Sequence, residues 1–408
     1  MANRPTTIWQ RLHHRGTWRW AKRGALMLLL VALFADFLAS DKPLVGRHQG
    51  QLYFPAARQA LVDLGWGTWP AALTPWYKQK EAFDWQFLPP VPYGPTQKNV
   101  YDSYLSPTGE QPVDGWRYRH WLGTDSNGQD VLAQLIHGTR TALGVGLGAI
   151  TIALLIGLLL GSWAGFFGDT NWRISQSRWL GGLVGLLIGM YYGFVARSYL
   201  LALDQHGNYW SFALVILWGA TVLGALLGHY LLPRSWRHTF WAIPFDSLVM
   251  RIIEIITAIP ALLLLLALLA SVGEKSLLLT TLILGLLLWT SIARFVRGEL
   301  LQVRSLEYIQ AAQVTGVGPV RRLLRHALPN ALQPVYTAAA FGIAAAILTE
   351  AGLSLLGLGL PSDTPSWGRL LSEANFAPSA WWLAIFPGVA IFLAVSIFNF
   401  LGEGIGKT

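Results

Sequence analysis

Eight apolar runs dominate the chain, at 24–40, 142–168, 180–203, 209–232, 255–273, 276–295, 334–358 and 381–401. Each approaches the roughly 20 residues that a helix needs to cross hydrocarbon. Backbone amides inside a bilayer must find partners within their own segment, so runs of this kind specify helices. The expected fold is an all-α polytopic membrane protein with about eight spans. Composition agrees: 53% of residues are apolar and 12% charged, which excludes an ordinary soluble globule of 408 residues.

A formal net charge of +9 fits nucleic-acid binding in principle, but in so apolar a chain basic residues set membrane orientation. With the N-terminus inside, the cytoplasmic segments carry seventeen Lys and Arg and the opposite face ten, eight of them in one long loop. Short loops carry the orientation signal, so both termini are expected to be cytoplasmic, with a lipid bilayer and no nucleic acid as partner. The first run follows a basic head, as a signal peptide does, yet Phe37 and Leu38 stand where cleavage requires a small residue. An uncleaved anchor is expected. Trp172, Trp179, Tyr209, Trp210, Trp381 and Trp382 stand at run ends, as an interfacial aromatic belt would. The chain lacks cysteine and so has neither disulfides nor thiolate metal sites.

The runs divide the chain into a cytoplasmic N-terminus and first span (1–40), an ordered external loop domain (41–138) and a second span (139–168). A further helix pair (169–242) and a core domain (243–408) follow. Ala153, Gly157, Gly161 and Gly165 recur every four residues, as do Gly181, Gly185, Gly189 and Gly193. This spacing puts small residues on one helix face, where another helix packs closely. Among charges within or beside runs, Asp36, Arg197 and Glu254 lie near run ends, where snorkelling or an interfacial contact is enough. Glu350 lies deeper and is expected to face protein or a water-filled path, in a pore or structural role. Asp125 is expected to cap or order the turn before the second span, with Asn127-Gly128 making it and Asp130 close by. Together with His120 and His137 these aspartates match no standard metal spacing, so neither a metal site nor a membrane enzyme is expected. The terminal GEGIGKT is not a phosphate-binding loop, because Leu401 stands where its first glycine is required.

Between the sixth and seventh runs, within 297–330, the chain turns polar: EYIQAAQVTGVGPVRRLLRHALPN, Glu307 to Asn330. Ile309, Ala312, Val320, Leu323 and Leu324 interleave with Glu307, Gln310, Gln313, Arg321, Arg322 and Arg325, as in an amphipathic helix broken near Gly316–Pro319. A knob entering a partner's cleft would use Ala311-Ala312 for close approach, Gly316 for a sharp turn and Pro329 to stop the helix before the next span. On residue chemistry alone, an ordinary cytoplasmic loop explains the segment at least as well.

The spacing Gln310-Ala311-Ala312, Gly316, His326, Leu328-Pro329 resembles the loop by which permease subunits of bacterial ABC importers grip their ATPase. Gln310 replaces the usual glutamate and His326 the usual aliphatic residue. WLGTDSNGQDVLAQLIHGTRTAL (Trp121–Leu143), EAGLSLLGLGLPSDTPSWGRLLSE (Glu350–Glu373), Ile243–Leu248 with Arg251–Pro260, and Phe398–Ile405 are similar to segments of the dipeptide, oligopeptide and nickel permeases. Asp41–Pro55 and TPWYKQK (Thr74–Lys80) look most like the second permease of oligopeptide and microcin C systems.

This resemblance implies a type I ABC importer transmembrane-domain fold, with six core spans, an inserted helix pair and the external loop domain. It implies a bacterial inner-membrane subunit forming half of a peptide uptake path and having no catalysis or cofactor of its own. ATP and Mg would bind partner ATPase subunits. The implied partners are a homologous second permease, two ABC ATPases and a periplasmic peptide-binding protein. The implied coupling residues are Glu307, Gln310, Ala311, Ala312, Gly316, Pro319, Arg322, His326, Leu328 and Pro329. A secondary transporter, or a permease of the same fold for nickel or another solute, is the competing interpretation.

Overall fold

The computed structural model of the chain describes residues 8–48, 51–63, 68, 83–113, 115–169, 173–197, 199, 208–273, 275–361 and 363–406. The Thr74–Lys80 motif, Trp172 and the end of GEGIGKT lie outside the described residues. Helices α1 (Ile8–Leu33), α2 (Ala35–Leu38) and α3 (Pro55–Asp63) come first, with strands β1 (Val45–His48), β2 (Gln51–Tyr53) and β3 (Trp85–Phe87), then α4 (Val131–Phe167). Next stand β4 (Arg173–Ser175), α5 (Gln176–Met190), α6 (Asn208–Leu231), α7 (Arg234–His238), β5 (Phe240–Ala242) and α8 (Phe245–Ala258). The chain continues as α9 (Ala261–Val272), α10 (Leu277–Val303), α11 (Glu307–Val314), α12 (Pro319–Arg322), α13 (Leu328–Leu355), α14 (Trp367–Ala374) and α15 (Trp382–Gly406).

Among the described residues, six helical stretches are long and apolar enough to cross a membrane: α4, α5 with its π-helical extension, α6, α10, α12 through α13, and α15. The pair α8 and α9, bent by 85°, makes seven if it is one span. Its break falls at Ile259-Pro260, where the ring removes a donor and keeps the preceding residue from continuing the helix. The remaining expected run, 24–40, falls on the end of α1 and on α2, which part at Phe34, and is outside this count.

Contacts divide the chain into two compact units, 1–162 with 254–408, and Trp163–Ile253. In the first, α4, α13, α14 and α15 pack around a core that includes Ala142, Leu143, Ala344, Ile347, Trp367 and Ala394. Half of the buried residues of this core are alanine, which lets helices approach closely where van der Waals contact, not hydrophobic transfer, joins them in lipid. Gly157 and Gly161 of α4 meet α10 as their spacing predicts: a Cβ at Gly161 would lie 2.6 Å from the Ala293 carbonyl oxygen. Before α4, antiparallel strands in the order β2-β1-β3 form a small sheet.

The second unit is built on an α5–α6 hairpin. Gly181 and Gly185 face Gly224, Gly228 and Ala220 so closely that a Cβ at Gly185 would stand 2.1 Å from the Ala220 carbonyl oxygen. At its base β4 pairs antiparallel with β5, and Trp179 meets Trp241 edge-on at 5.3 Å. Arg197 lies 5.8 Å from the Phe212 ring, a cation–π contact.

Two local expectations change. Trp382 is not a belt residue: it is 5% exposed and its indole N–H donates to the Thr124 carbonyl at 3.0 Å. Asp36 does not reach outward to water. It is buried, with Arg140 of α4 donating to it at 2.7 Å, so its charge is paired inside the bundle.

Candidate functional site

The loop between α10 and α13 folds as two short helices held at a fixed turn. α11 ends in a Schellman arrangement: Gly316 donates to the Gln313 carbonyl at 3.1 Å and Val317 to that of Ala312 at 3.0 Å. Gly316 has φ +78°, the left-handed conformation this closure requires, and no atom would crowd a Cβ there. Gly318 then caps α12, and Pro319 takes its first turn, where its missing N–H costs nothing. The break therefore falls where the sequence places it.

Side chains brace the turn. Arg322 donates to the Gln313 amide oxygen at 2.5 Å, and Asn330 donates to the Tyr308 hydroxyl at 2.7 Å and to the His326 carbonyl at 3.0 Å. Gln310, at the position of the family glutamate, donates to the Ser305 carbonyl at 3.1 Å. Ile309 and Leu323 are buried beneath the loop, whereas Val314 (88% exposed), Val320 and Leu324 point away from it. The amphipathic pattern thus gives two apolar faces, one anchoring the loop and one left open. Gln310 and Ala311 are exposed, Ala312 and His326 partly so.

Pro329 does not act as a stop. α12 passes through a π-helical turn, Leu323–Ala327, directly into α13, and Pro329 lies in the first turn of that helix beside Leu328. The wider hydrogen-bond register of a π turn accommodates a residue that lacks a donor.

Asp125 and Asp130 organise the start of α4. Asp125 Oδ1 accepts from the Asn127 and Gln129 amides at 2.8 and 2.9 Å, and its Oδ2 from Gln134 at 2.7 Å. Gly128 takes φ +70° in this turn. Asp130 is the cap itself, accepting from Ala133 N–H at 2.7 Å, and its other oxygen meets His120 Nδ1 at 2.9 Å. His120 stacks on Tyr93 with centroids 4.2 Å apart. Burial pushes the Tyr93 hydroxyl pKa up, with Asp130 adding in the same direction.

A polar cluster joins this turn to α14. Arg369 donates to Gln129 at 3.2 Å, to Gln134 and to Glu373 at 3.3 Å, and Ser126 Oγ donates to Glu373 at 3.2 Å. Burial raises the pKa of Glu373 and Asp125 raises it further, while Arg369 and Ser126 pull it down. Glu350, 1% exposed in α13, accepts from Ser354 and Ser366 at 2.8 Å each. Ser366 also caps α14, accepting from Gly368 N–H at 3.2 Å. These bonds tie α13 to the start of α14.

The loop residues singled out between Glu307 and Pro329 thus gather in one exposed element, whereas Asp125, Asp130 and Glu350 hold helix ends inside the bundle. Arg369, Glu373 and Arg140 were not anticipated. The Ser366 cap was readable as a serine before a helix; the Asp36–Arg140 pair joins residues too far apart in the chain for any local pattern.

Residues 220–407 match the family described as binding-protein-dependent transport system inner membrane component. The chain is 29% identical to the inner membrane ABC transporter permease protein YejE of Escherichia coli, over 97% of this chain and 94% of that protein. It is 29% identical to the dipeptide transport system permease protein DppC of Alkalihalophilus pseudofirmus, over 74% of this chain and 75% of that protein. A putative peptide transport system permease protein of Brucella suis is 35% identical over 46% of this chain and 60% of that protein.

Proposed function

We propose that the chain, whose residues 220–407 match the binding-protein-dependent transport system inner membrane component family, forms half of a peptide uptake path driven by separate ABC ATPases. The observation that carries this reading is the braced loop, which holds Val314, Val320 and Leu324 in water between two membrane-crossing helices. Open apolar side chains on a rigid turn fit a partner's cleft, and in this family that partner is an ATPase. Gln310 is uncharged, so the contact relies on shape.

The assembly pairs this chain with a homologous permease, two ATPases and a periplasmic peptide-binding protein, with both termini in the cytoplasm. ATP binding would close the ATPases, carry the loop with them and turn the access of the path. ATP and Mg belong to the partners, and the chain itself is non-catalytic. The peptide substrate rests on the named substrates of similar permeases and on the resemblance around Asp41–Pro55.

The test is reconstitution of the full chain with a homologous permease, ABC ATPases and a peptide-binding protein from the same cell, followed by ATP-dependent peptide uptake into vesicles. Uptake that requires ATP and the binding protein supports the reading. Uptake driven by an ion gradient without ATPases overturns it in favour of a secondary transporter.

A further inference from the structure

An apolar groove with a volume of about 580 Å³ runs along the α5–α6 hairpin. Its floor is the glycine seam at Gly181, Gly185 and Gly224, and its walls are Val184, Leu223 and Leu227. From Ala220 to Leu231 the α6 side extends about 16 Å, at roughly 1.5 Å of rise per residue. Trp236 of α7 closes one end. The groove is thus long, narrow and apolar, unlike the convex surface that an ordinary lipid-facing helix pair presents.

The end closed by Trp236 is basic. Arg178 opens α5 beside the groove residues Leu180 and Gly181, and Arg234 and Arg237 flank Trp236. Arg234 and Arg237, three apart in α7, share a helix face. Arg178 and Arg237 are both close enough to His229 for their charges to act on it. Arg237 donates to the Tyr230 and Leu232 carbonyls at 2.6 and 3.5 Å, while its buried Nε has no partner. Arg178 and Arg234 are exposed. Among the described residues of this unit only Asp169 and Asp246 are acidic, and Asp169 accepts from Ser247 at 2.6 Å.

We propose that this hairpin holds one anionic phospholipid, its acyl chain along the groove and its phosphate against Arg178, Arg234 and Arg237. The groove alone would accept any acyl chain. The arginines, with a partnerless N–H among them, select a phosphate that carries net negative charge. A transmembrane helix of a partner would also fill an apolar groove, but it offers the basic end no anion.

The experiment is native mass spectrometry of the full detergent-purified chain, titrated with dioleoylphosphatidylglycerol or dioleoylphosphatidylcholine. The wild type should retain phosphatidylglycerol at lower concentration, by roughly tenfold or more given what a basic residue contributes near an anionic lipid. R178Q/R234Q should remove that preference, and V184W, which fills the groove from its wall, should weaken both lipids. R58Q, a charge change far along the chain, should do neither. L227F is the second groove variant if V184W fails to elute as folded protein. Equal retention of the two lipids overturns the proposal. So does unchanged phosphatidylglycerol binding in V184W and L227F, which would leave the groove to another occupant such as a partner helix. Because the isolated chain is measured, the result is independent of transport.

Discussion

Val317 donates its backbone N–H to the carbonyl of Ala312 at 3.0 Å, closing α11 across a glycine that stands at φ +78°. The geometry gives Ala312 and Gly316 backbone roles: one supplies the acceptor, the other the only conformation that reaches it without strain. The open face at Val314 lies on the rigid end so formed.

Gly316→Val should strain the turn by about 1–2 kcal/mol, the cost of a left-handed L-residue, and G316N should cost less. Because no side chain crowds the site, the loss should stay at that strain, a drop of a few degrees or less in the thermal midpoint of the purified permease. Capture of the ATPase at fixed permease concentration should fall several-fold. A G316V chain that binds ATPase like wild type would refute the docking assignment.

Val314→Asp and Leu324→Asp alter exposed side chains, so stability should stay within about 0.5 kcal/mol. ATPase co-purification should be lost. Unchanged co-purification in the double variant would place the contact elsewhere.

Asp36→Asn removes the charge that Arg140 meets at 2.7 Å in a buried position. Thermal unfolding should show a loss of about 1–3 kcal/mol, below the full cost of a buried pair because Arg140 is half-exposed. Adding R140Q should cost less than the sum of the single changes.

Gly185→Leu puts a side chain where even a Cβ would stand 2.1 Å from the Ala220 carbonyl oxygen, so α5 and α6 must part. Hydrogen exchange should rise across 176–231 and stay unchanged across 328–355, which belongs to the other compact unit. Exchange that rises equally in both would show that the hairpin is no separate folding element.

Burial disfavours the charge of Glu373 and holds its carboxyl above its ordinary pKa. The folded state therefore holds this proton more tightly than the unfolded one. The associated stability is complete below the unfolded pKa and is lost as pH rises through the folded value. E373Q should flatten the part of the melting profile that lies between the ordinary glutamate pKa and the raised folded-state one. A profile as steep as that of wild type would assign the dependence to another group.

The helical, polytopic architecture was legible because lipid leaves a chain few options: the apolar runs and the four-residue glycine spacing translate directly into α4, α5 and their close neighbours. The loop break at Gly316–Pro319 was equally plain, since glycine and proline act locally. What escaped were bonds between distant segments. Asp36 and Trp382 stand near run ends, where water is the default partner, and only the packed bundle supplies Arg140 and the Thr124 carbonyl. Pro329 was misread as a stop because a π turn, which lets a helix run on into a proline, has no sequence signature.

Glu350 gives α13 a second attachment. One end of this helix continues from the loop through the π turn, and near the other its carboxylate grips the serine that starts α14. A helix of 28 residues is about 42 Å long at roughly 1.5 Å per residue. This one helix, which carries Pro334 within it, thus joins the loop at one end to the start of α14 near the other.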